Sequence, residues 1–203
     1  MPSYLGNYKR AAKDRDTKIL RAVESVILQT YEDWELLTIA DGCSQTREIL
    51  EKENYKDERI KGYLAPKDKL WGGMPRNIGI EKSTGDWIIY LDIDDWFGKD
   101  HIKIINEAIK QNQGFDWYYF DDIIIQKPYN KKEWVKRKCW IDRVGKCGTS
   151  NLCHKREMNA RWGRPTYRHD WNFVMALKME SMNCKYIPCP EYYVGHIPNR
   201  YDV

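Results

Sequence analysis

Three carboxylates in four residues, Asp92, Asp94 and Asp95, stand directly after an apolar run, Trp87 to Leu91. Like charges this close oppose one another's ionisation unless a cation or hydrogen-bond donors lie between them. A divalent ion suits the spacing: Mg²⁺ and Mn²⁺ prefer hard oxygen ligands and commonly take one or two carboxylates, leaving other positions to water and phosphate oxygens. A solvated acidic turn has the same composition, but ligands of open α/β sheets bind outside the carboxyl ends of the strands, where this motif falls. Asp170 stands at the start of a helical stretch, where a carboxylate commonly serves as an N-cap. Between 127 and 146, Lys127, Lys131, Lys132, Lys136, Arg137, Lys138, Arg143 and Lys146 are interleaved with Tyr129, Trp134 and Trp140. That mixture serves phosphate contact and base stacking, or simply a solvated hairpin. Trp71 and Trp96 flank the acidic motif as sugar or acceptor platforms, or as core.

The elements that must position these groups follow from periodicity. Ala11 to Gln29 carries Ile19, Leu20, Val23, Val26 and Ile27 on one helical face. A strand from Trp34 to Ala40 stops at Asp41-Gly42, a helix spans about Ser44 to Glu53, and Arg59 to Leu64 is a short strand. A loop through Pro66 and Gly72-Gly73 leads to a helix, Pro75 to Lys82, and then to a buried strand, Trp87 to Leu91. Lys99 to Gln111 is a helix with Asp100 as N-cap, ending at Gly114. Phe115 to Ile125 reads as one long aromatic strand and the basic stretch as a hairpin outside the main sheet. Gly148 to His154 is a strand, Asp170 to Met182 a helix, and Lys185 to Val194 a Pro-broken final strand. The alternation predicts an α/β fold: one domain over 1–203, a mostly parallel sheet flanked by helices, with a small antiparallel extension.

Composition narrows the class. The chain has 203 residues, 42% hydrophobic and 32% charged, with a net charge of +4. That is a soluble globular profile, with no membrane-length apolar run and no secretory leader, so a cytoplasmic location is expected. Six cysteines without a CxxC pair suit reduced thiols. Cys139, Cys147, Cys153 and His154 were weighed as zinc ligands, but their spacing fits no common knuckle.

The motifs TYEDWELLTIADGCSQ (30–45), PRNIGIEKSTGDWIIYLDIDDW (75–96), GTSNLCHKRE (148–157) and RHDWNF (168–173) together resemble glycosyltransferase family 2, of GT-A fold. The resemblance covers nearly the whole chain and implies roles. Pro2 and Tyr4 match the segment that cradles the donor's base, although only Met1 stands before Pro2, so either the start is short or the sheet is built without a full first strand. Asp41 matches the acidic residue that binds the base, while the preceding acidic position is Ala40. Arg76 and Asn77 match a pair near the nucleotide. Asp92 falls near the ribose, Asp94 and Asp95 near the metal, and His196 resembles the histidine that completes the metal shell. Asp170 matches the catalytic base, with His169 where the family has Glu. His169, Trp171, Lys136, Arg137 and Lys138 fall on the acceptor side.

The expected donor half is 1–96 and the acceptor and base half 97–203. The expected activity is inverting, Mn²⁺- or Mg²⁺-dependent transfer of a sugar from a nucleotide-sugar, a UDP-sugar foremost, to the hydroxyl of a glycan or lipid-linked sugar. The alternative keeps the chemistry and makes the acceptor nucleic acid, a hydroxymethylated base in DNA, which would have to be flipped out of the duplex. A nucleotidyltransferase would begin with a glycine-rich loop that this N-terminus lacks. A non-catalytic nucleic-acid-binding module would leave the carboxylates without a purpose.

Overall fold

The computed structural model describes residues 1–6, 14–52, 55–68, 72–126, 133–163, 168–188 and 191–195. Its first sheet is organised on β2 (Leu36–Asp41), buried along its whole length, as a run of apolar residues covered on both faces must be. The two-residue β1 (Pro2–Ser3) and the longer β3 (Ile60–Ala65) pair with it in parallel, giving the order β1-β2-β3. The helices α1 (Arg15–Ile27), α2 (Gln45–Lys52) and α3 (Gly73–Lys82) fall between and after these strands in the chain. Ile19, Ala22, Val23 and Val26 form the buried stripe of α1, as their helical spacing requires.

Beyond α3 run β4 (Trp87–Ile89), β5 (Trp96–Phe97), α4 (His101–Gln111), β6 (Trp117–Phe120), β7 (Asp122–Gln126) and β8 (Glu133–Arg137). A short 3-10 turn (Thr149–Asn151), β9 (Leu152–Lys155), α5 (His169–Glu180), β10 (Cys184–Ile187) and β11 (Tyr192–Val194) follow. They build two four-stranded sheets, β10-β6-β9-β4 and β5-β11-β7-β8. β6 and β10 are parallel, as are β7 and β11, whereas β9 lies antiparallel to both β4 and β6, and β8 antiparallel to β7. The α/β class stands, with its all-parallel part in the first sheet and mixed pairing in the other two.

Two expected strands are each divided between these sheets. The aromatic run breaks at Asp121, 1% exposed, whose carboxylate accepts from the Cys139 N–H, the Tyr186 hydroxyl and Lys136. Satisfying a buried carboxylate from three directions forces the chain to turn out of the ladder there. The final strand breaks at Pro188, which has no N–H for a ladder bond. The basic stretch does form a hairpin arm, β8 on β7. The Asp100 side chain accepts from Thr30 Oγ1 at 2.7 Å and makes no cap bond to α4. The main core joins Trp117, Leu152, Phe173, Val174 and Leu177 to Tyr90 and Trp162, so α5 is packed on the second sheet.

Candidate active site

β2 ends in Asp41, 4% exposed, at the carboxyl edge where α/β sheets bind ligands. Its carboxylate accepts from Lys67 Nζ at 2.6 Å and from the Asp68 N–H at 2.5 Å. The Lys67 ammonium also lies 3.6 Å above the Tyr4 ring, so Tyr4, Asp41 and Lys67 meet at one point. Pro2 pairs beside them on the two-residue β1. Asp68 in turn accepts the Met74 N–H at 2.9 Å and satisfies a donor in the first turn of α3. Gly72 precedes that helix at φ 77°, and a Cβ there would come within 3.0 Å of the Arg76 guanidinium. Glycine therefore lets the chain close over Arg76.

Arg76 is buried, and its Nη2 donates to Asp92 Oδ1 at 2.6 Å. Burial works against the guanidinium's charge, but Asp92 and Asp170 outweigh it and hold the pKa above its ordinary value. Asp92, from the acidic motif, and Asp170, from the start of α5, thus converge on one cation. The Trp162 ring lies 4.7 Å from that guanidinium and stacks on Phe173 of α5 at 4.1 Å. Both ends of the Asn77 amide are engaged by the Trp162 main chain: Nδ2 donates to its carbonyl at 3.0 Å, and Oδ1 accepts its N–H at 2.9 Å. Asn77 thus has a structural role, tying α3 to the Trp162 main chain, beside the nucleotide contact that the resemblance implies.

The acidic motif is not three equivalent ligands. Asp95, 2% exposed, accepts from the Tyr192 hydroxyl at 2.9 Å and from the Gly195 N–H at 2.7 Å. It ties β11 to the motif through these two bonds, a structural role beside the metal contact that the resemblance implies. A Cβ at Gly195 would strike Trp96 at 2.7 Å and the Asp94 carbonyl at 2.8 Å, which explains a glycine at that approach. Tyr192 also receives the Asp92 N–H at 3.1 Å. Asp94 is fixed through its carbonyl, which accepts from Arg21 Nη2 at 2.6 Å. Among the described residues, no group of three or more His, Cys, Asp or Glu side chains is placed to hold a metal. The donor chemistry fits a hard cation only if shared between Asp92 or Asp94 and phosphate oxygens, the usual arrangement for Mg²⁺. His196 and Trp71 lie outside the described residues.

Asp170 Oδ1 accepts from Thr149 Oγ1 at 2.8 Å and lies 3.5 Å from His169 Nδ1. The residue flanking α5 is Arg168, and there is no side-chain cap bond, so Asp170 does not act as an N-cap. Burial, reinforced by Arg76, lowers the His169 pKa from its ordinary value against the pull of Asp170 and Asp92. His169 is therefore mostly neutral near pH 7.

Other expected site residues are placed elsewhere or otherwise engaged. Trp96 stacks on Tyr193 at 5.3 Å, meets Trp134 edge-on and carries Arg21 4.0 Å over its ring. It belongs to an aromatic packing cluster. Trp171 lies 6.0 Å from Lys178. Lys136 pairs with Asp121 at 3.0 Å, Arg137 grips Asp122 with two nitrogens, and Lys138 rests on Trp140 at 4.6 Å. These three cations are spent within the fold rather than arrayed for phosphates. Lys127, Tyr129, Lys131 and Lys132 lie outside the described residues. The weighed zinc set is not formed: His154 Nδ1 donates to the Lys155 carbonyl, its Nε2 accepts from the Tyr90 hydroxyl, and the Cys147 thiol is held beside Cys139. Sequence reasoning missed Thr149, Trp162, Tyr192 and Lys67. Tyr192 had a signal, since a tyrosine in an apolar strand needs a partner for its hydroxyl.

An uncharacterized glycosyltransferase of Rickettsia felis is 32% identical over 117 residues, 58% of this chain and 18% of that protein. A Campylobacter jejuni protein named GalNAc(5)-diNAcBac-PP-undecaprenol beta-1,3-glucosyltransferase is 25% identical over 118 residues, 58% of this chain and 37% of its own length. The chain thus spans well under half of either relative. Residues 1–349 of S. aureus TarS, solved with UDP, superpose with a TM-score of 0.73 at 15% identity, over 95% of this chain and 58% of that one. The complex of the same protein with UDP-GlcNAc gives 0.72 at 15% identity, over 100% of this chain and 60% of that one. These two show a shared fold. The family model for Glycosyl transferase family 2 matches residues 11–179, from α1 to the end of α5, and the chain belongs to that family.

Proposed function

We propose that the chain transfers a sugar from a UDP-sugar to the hydroxyl of a glycan or lipid-linked sugar, with inversion and with the help of Mn²⁺ or Mg²⁺. The observation that carries this reading is the convergence of Asp92 and Asp170 on the buried Arg76. It puts a strand-end carboxylate, hydrogen-bonded, and a helix-start carboxylate, through its charge, on the same guanidinium. The bound nucleotides of TarS, and the undecaprenol-linked substrate in the name of the Campylobacter relative, support the donor and acceptor classes. Residues 1–96 would hold the donor and 97–203 the acceptor and base, within one domain. The free cysteines Cys43, Cys139, Cys147, Cys153 and Cys184 fit the reducing, cytoplasmic setting we assign. No helix among the described residues is long and apolar enough to cross a membrane.

In this mechanism Tyr4 and Asp41 receive the base, and Asp92 faces the ribose under the hold of Arg76. The Asp170 carboxylate takes the proton of the attacking hydroxyl, a role that typically contributes ~10²- to 10⁴-fold. A metal held by Asp94 with the diphosphate would neutralise charge that develops on the leaving group. A carboxylate base opposite the leaving group makes a single displacement, hence inversion. With Lys136 and Arg137 paired internally, we keep the glycan or lipid-linked acceptor over nucleic acid. The test is UDP release from UDP-GlcNAc, UDP-glucose and UDP-galactose, with simple glycosides, lipid-linked sugars and duplex DNA as acceptors. Transfer to DNA alone would overturn the acceptor, and UDP release unaffected by Asp170→Asn would overturn the base.

A further inference from the structure

The 3-10 turn Thr149–Asn151 is buried, with its residues 5%, 7% and 2% exposed in order, and each of its polar side chains has a distinct partner. Asn151 ties the turn in two directions: Nδ2 donates to the Phe120 carbonyl at 2.9 Å, and Oδ1 accepts the Gly148 N–H at 2.8 Å. Ser150 Oγ donates to Asp122 Oδ2 at 2.9 Å, and Asp122 is itself gripped by Arg137. The turn is therefore bolted to the point where the chain passes from β6 to β7. The remaining hydroxyl, that of Thr149, donates to Asp170 Oδ1 at 2.8 Å.

α5 supplies no cap bond to the Asp170 carboxylate, and the His169 ring nitrogen at 3.5 Å is beyond good hydrogen-bond distance. Arg76 interacts with Asp170 through charge, whereas Thr149 donates a hydrogen bond directly to its Oδ1. We infer that Thr149 is a positioning residue: its hydroxyl holds Asp170 Oδ1 and orients the carboxylate, leaving Oδ2 to take the acceptor proton. The inference rests on the reading of Asp170 as the base. It extends that reading by making the GTSN turn the part of the fold that aims the base, through a side chain that touches no reacting atom. A carboxylate free to rotate about χ1 and χ2 would spend much of its time misaligned, and misplacement by about 1 Å costs up to ~10²-fold in rate.

The experiment compares Thr149→Val, which keeps shape and loses the hydroxyl, with Thr149→Ser, which keeps the hydroxyl, in the full chain. Turnover is read as UDP release from UDP-GlcNAc, UDP-glucose or UDP-galactose, whichever is fastest, and donor-site integrity as UDP affinity by calorimetry. Thr149→Val is expected to lower kcat by ~10-fold or more while UDP affinity stays within about 2-fold, and Thr149→Ser to restore most of the rate. Because Thr149 acts through Asp170, the double variant Thr149→Val with Asp170→Asn should be no slower than Asp170→Asn alone. Wild-type kcat in Thr149→Val, or losses that multiply in the double variant, would overturn the positioning role while leaving the base intact. Full turnover in Asp170→Asn would instead overturn the reading beneath it. A general collapse of the site would show as loss of UDP affinity in Thr149→Val and would equally refute positioning.

Discussion

Changing Asp95 to Asn separates a structural carboxylate from a metal ligand. The buried Asp95 accepts two hydrogen bonds, from the Tyr192 hydroxyl at 2.9 Å and the Gly195 N–H at 2.7 Å. Tyr192 is fully buried, and burial together with Asp95 and Asp92 pushes its pKa up, so it stays an O–H donor. An asparagine oxygen accommodates one of the two donors, but its NH₂ cannot accept the other. Hydrogen bonds to a charged group contribute about 1.5–3 kcal/mol, so losing one costs about 2 kcal/mol. For a chain of this size ~1 kcal/mol moves the midpoint by roughly 2–4 °C, which gives a fall of about 4–8 °C.

Asp94→Asn is the comparison variant, and it keeps the Asp94 carbonyl that accepts from Arg21 Nη2 at 2.6 Å. Thermal melts and UDP titrations with and without Mn²⁺ are run on both variants. Asp95→Asn should melt early and keep its Mn²⁺-dependent gain in UDP affinity. Asp94→Asn should lose that gain. An Asp95→Asn protein that melts within about 1 °C of wild type and yet binds UDP without response to Mn²⁺ would refute the anchor and restore the metal ligand.

Other perturbations address separate parts of the fold. Asn77→Ala removes both ties to the Trp162 main chain and should cost roughly 1–3 kcal/mol in urea unfolding, with Trp162 fluorescence shifting toward an exposed ring. Arg137→Ala leaves Asp122, which is 0% exposed, without its cation. Breaking a buried pair costs about 3–5 kcal/mol, but Arg137 is 43% exposed and solvent screens it, so about 2 kcal/mol at pH 7 is expected. Burial lowers the His101 pKa to about 3 and that of His154 to about 4, below the ordinary 6.5. Both pKa values are depressed on folding, so the stability they confer is full above pH 6.5 and is lost as pH falls toward 4 and 3. Urea midpoints at pH 7.5 and pH 5 should therefore differ, and His101→Phe should reduce that difference; an unchanged slope would contradict the assignment.

Residues 1–96 were the more legible in the sequence because their elements are local. A helical stripe such as Ile19, Val23 and Val26 and a fully buried run such as Leu36–Asp41 declare themselves within a few residues. The second half breaks that locality. Phe115 to Ile125 has one unbroken strand pattern, yet it contributes β6 to one sheet and β7 to another, because Asp121 draws donors from Cys139, Tyr186 and Lys136 far along the chain. Periodicity carries no information about such partners. The same holds for the acidic motif: its spacing announced charge needing compensation, but whether Asp95 met a cation or a tyrosine depended on Tyr192, distant in sequence. Lys136 and Arg137 looked available for phosphate because their carboxylate partners, Asp121 and Asp122, lie back along the chain where β6 passes into β7.

Arg76 and Asn77 show how adjacent residues register the two halves of the site. On α3 the first reaches Asp92, and with it the end of the acidic strand, while the second holds the Trp162 main chain at both its N–H and its carbonyl. Trp162 then covers the Arg76 guanidinium on one side and stacks on Phe173 on the other, and Phe173 lies one helical turn beyond His169 and Asp170. Any shift of α5 relative to α3 must therefore disturb either the stacked rings or the doubly bonded amide, both within a close-packed core. The distance between the donor-side carboxylate and the proposed base is thereby set by covalent neighbours on one helix, which leaves the turn at Thr149 only the orientation of Asp170 to define.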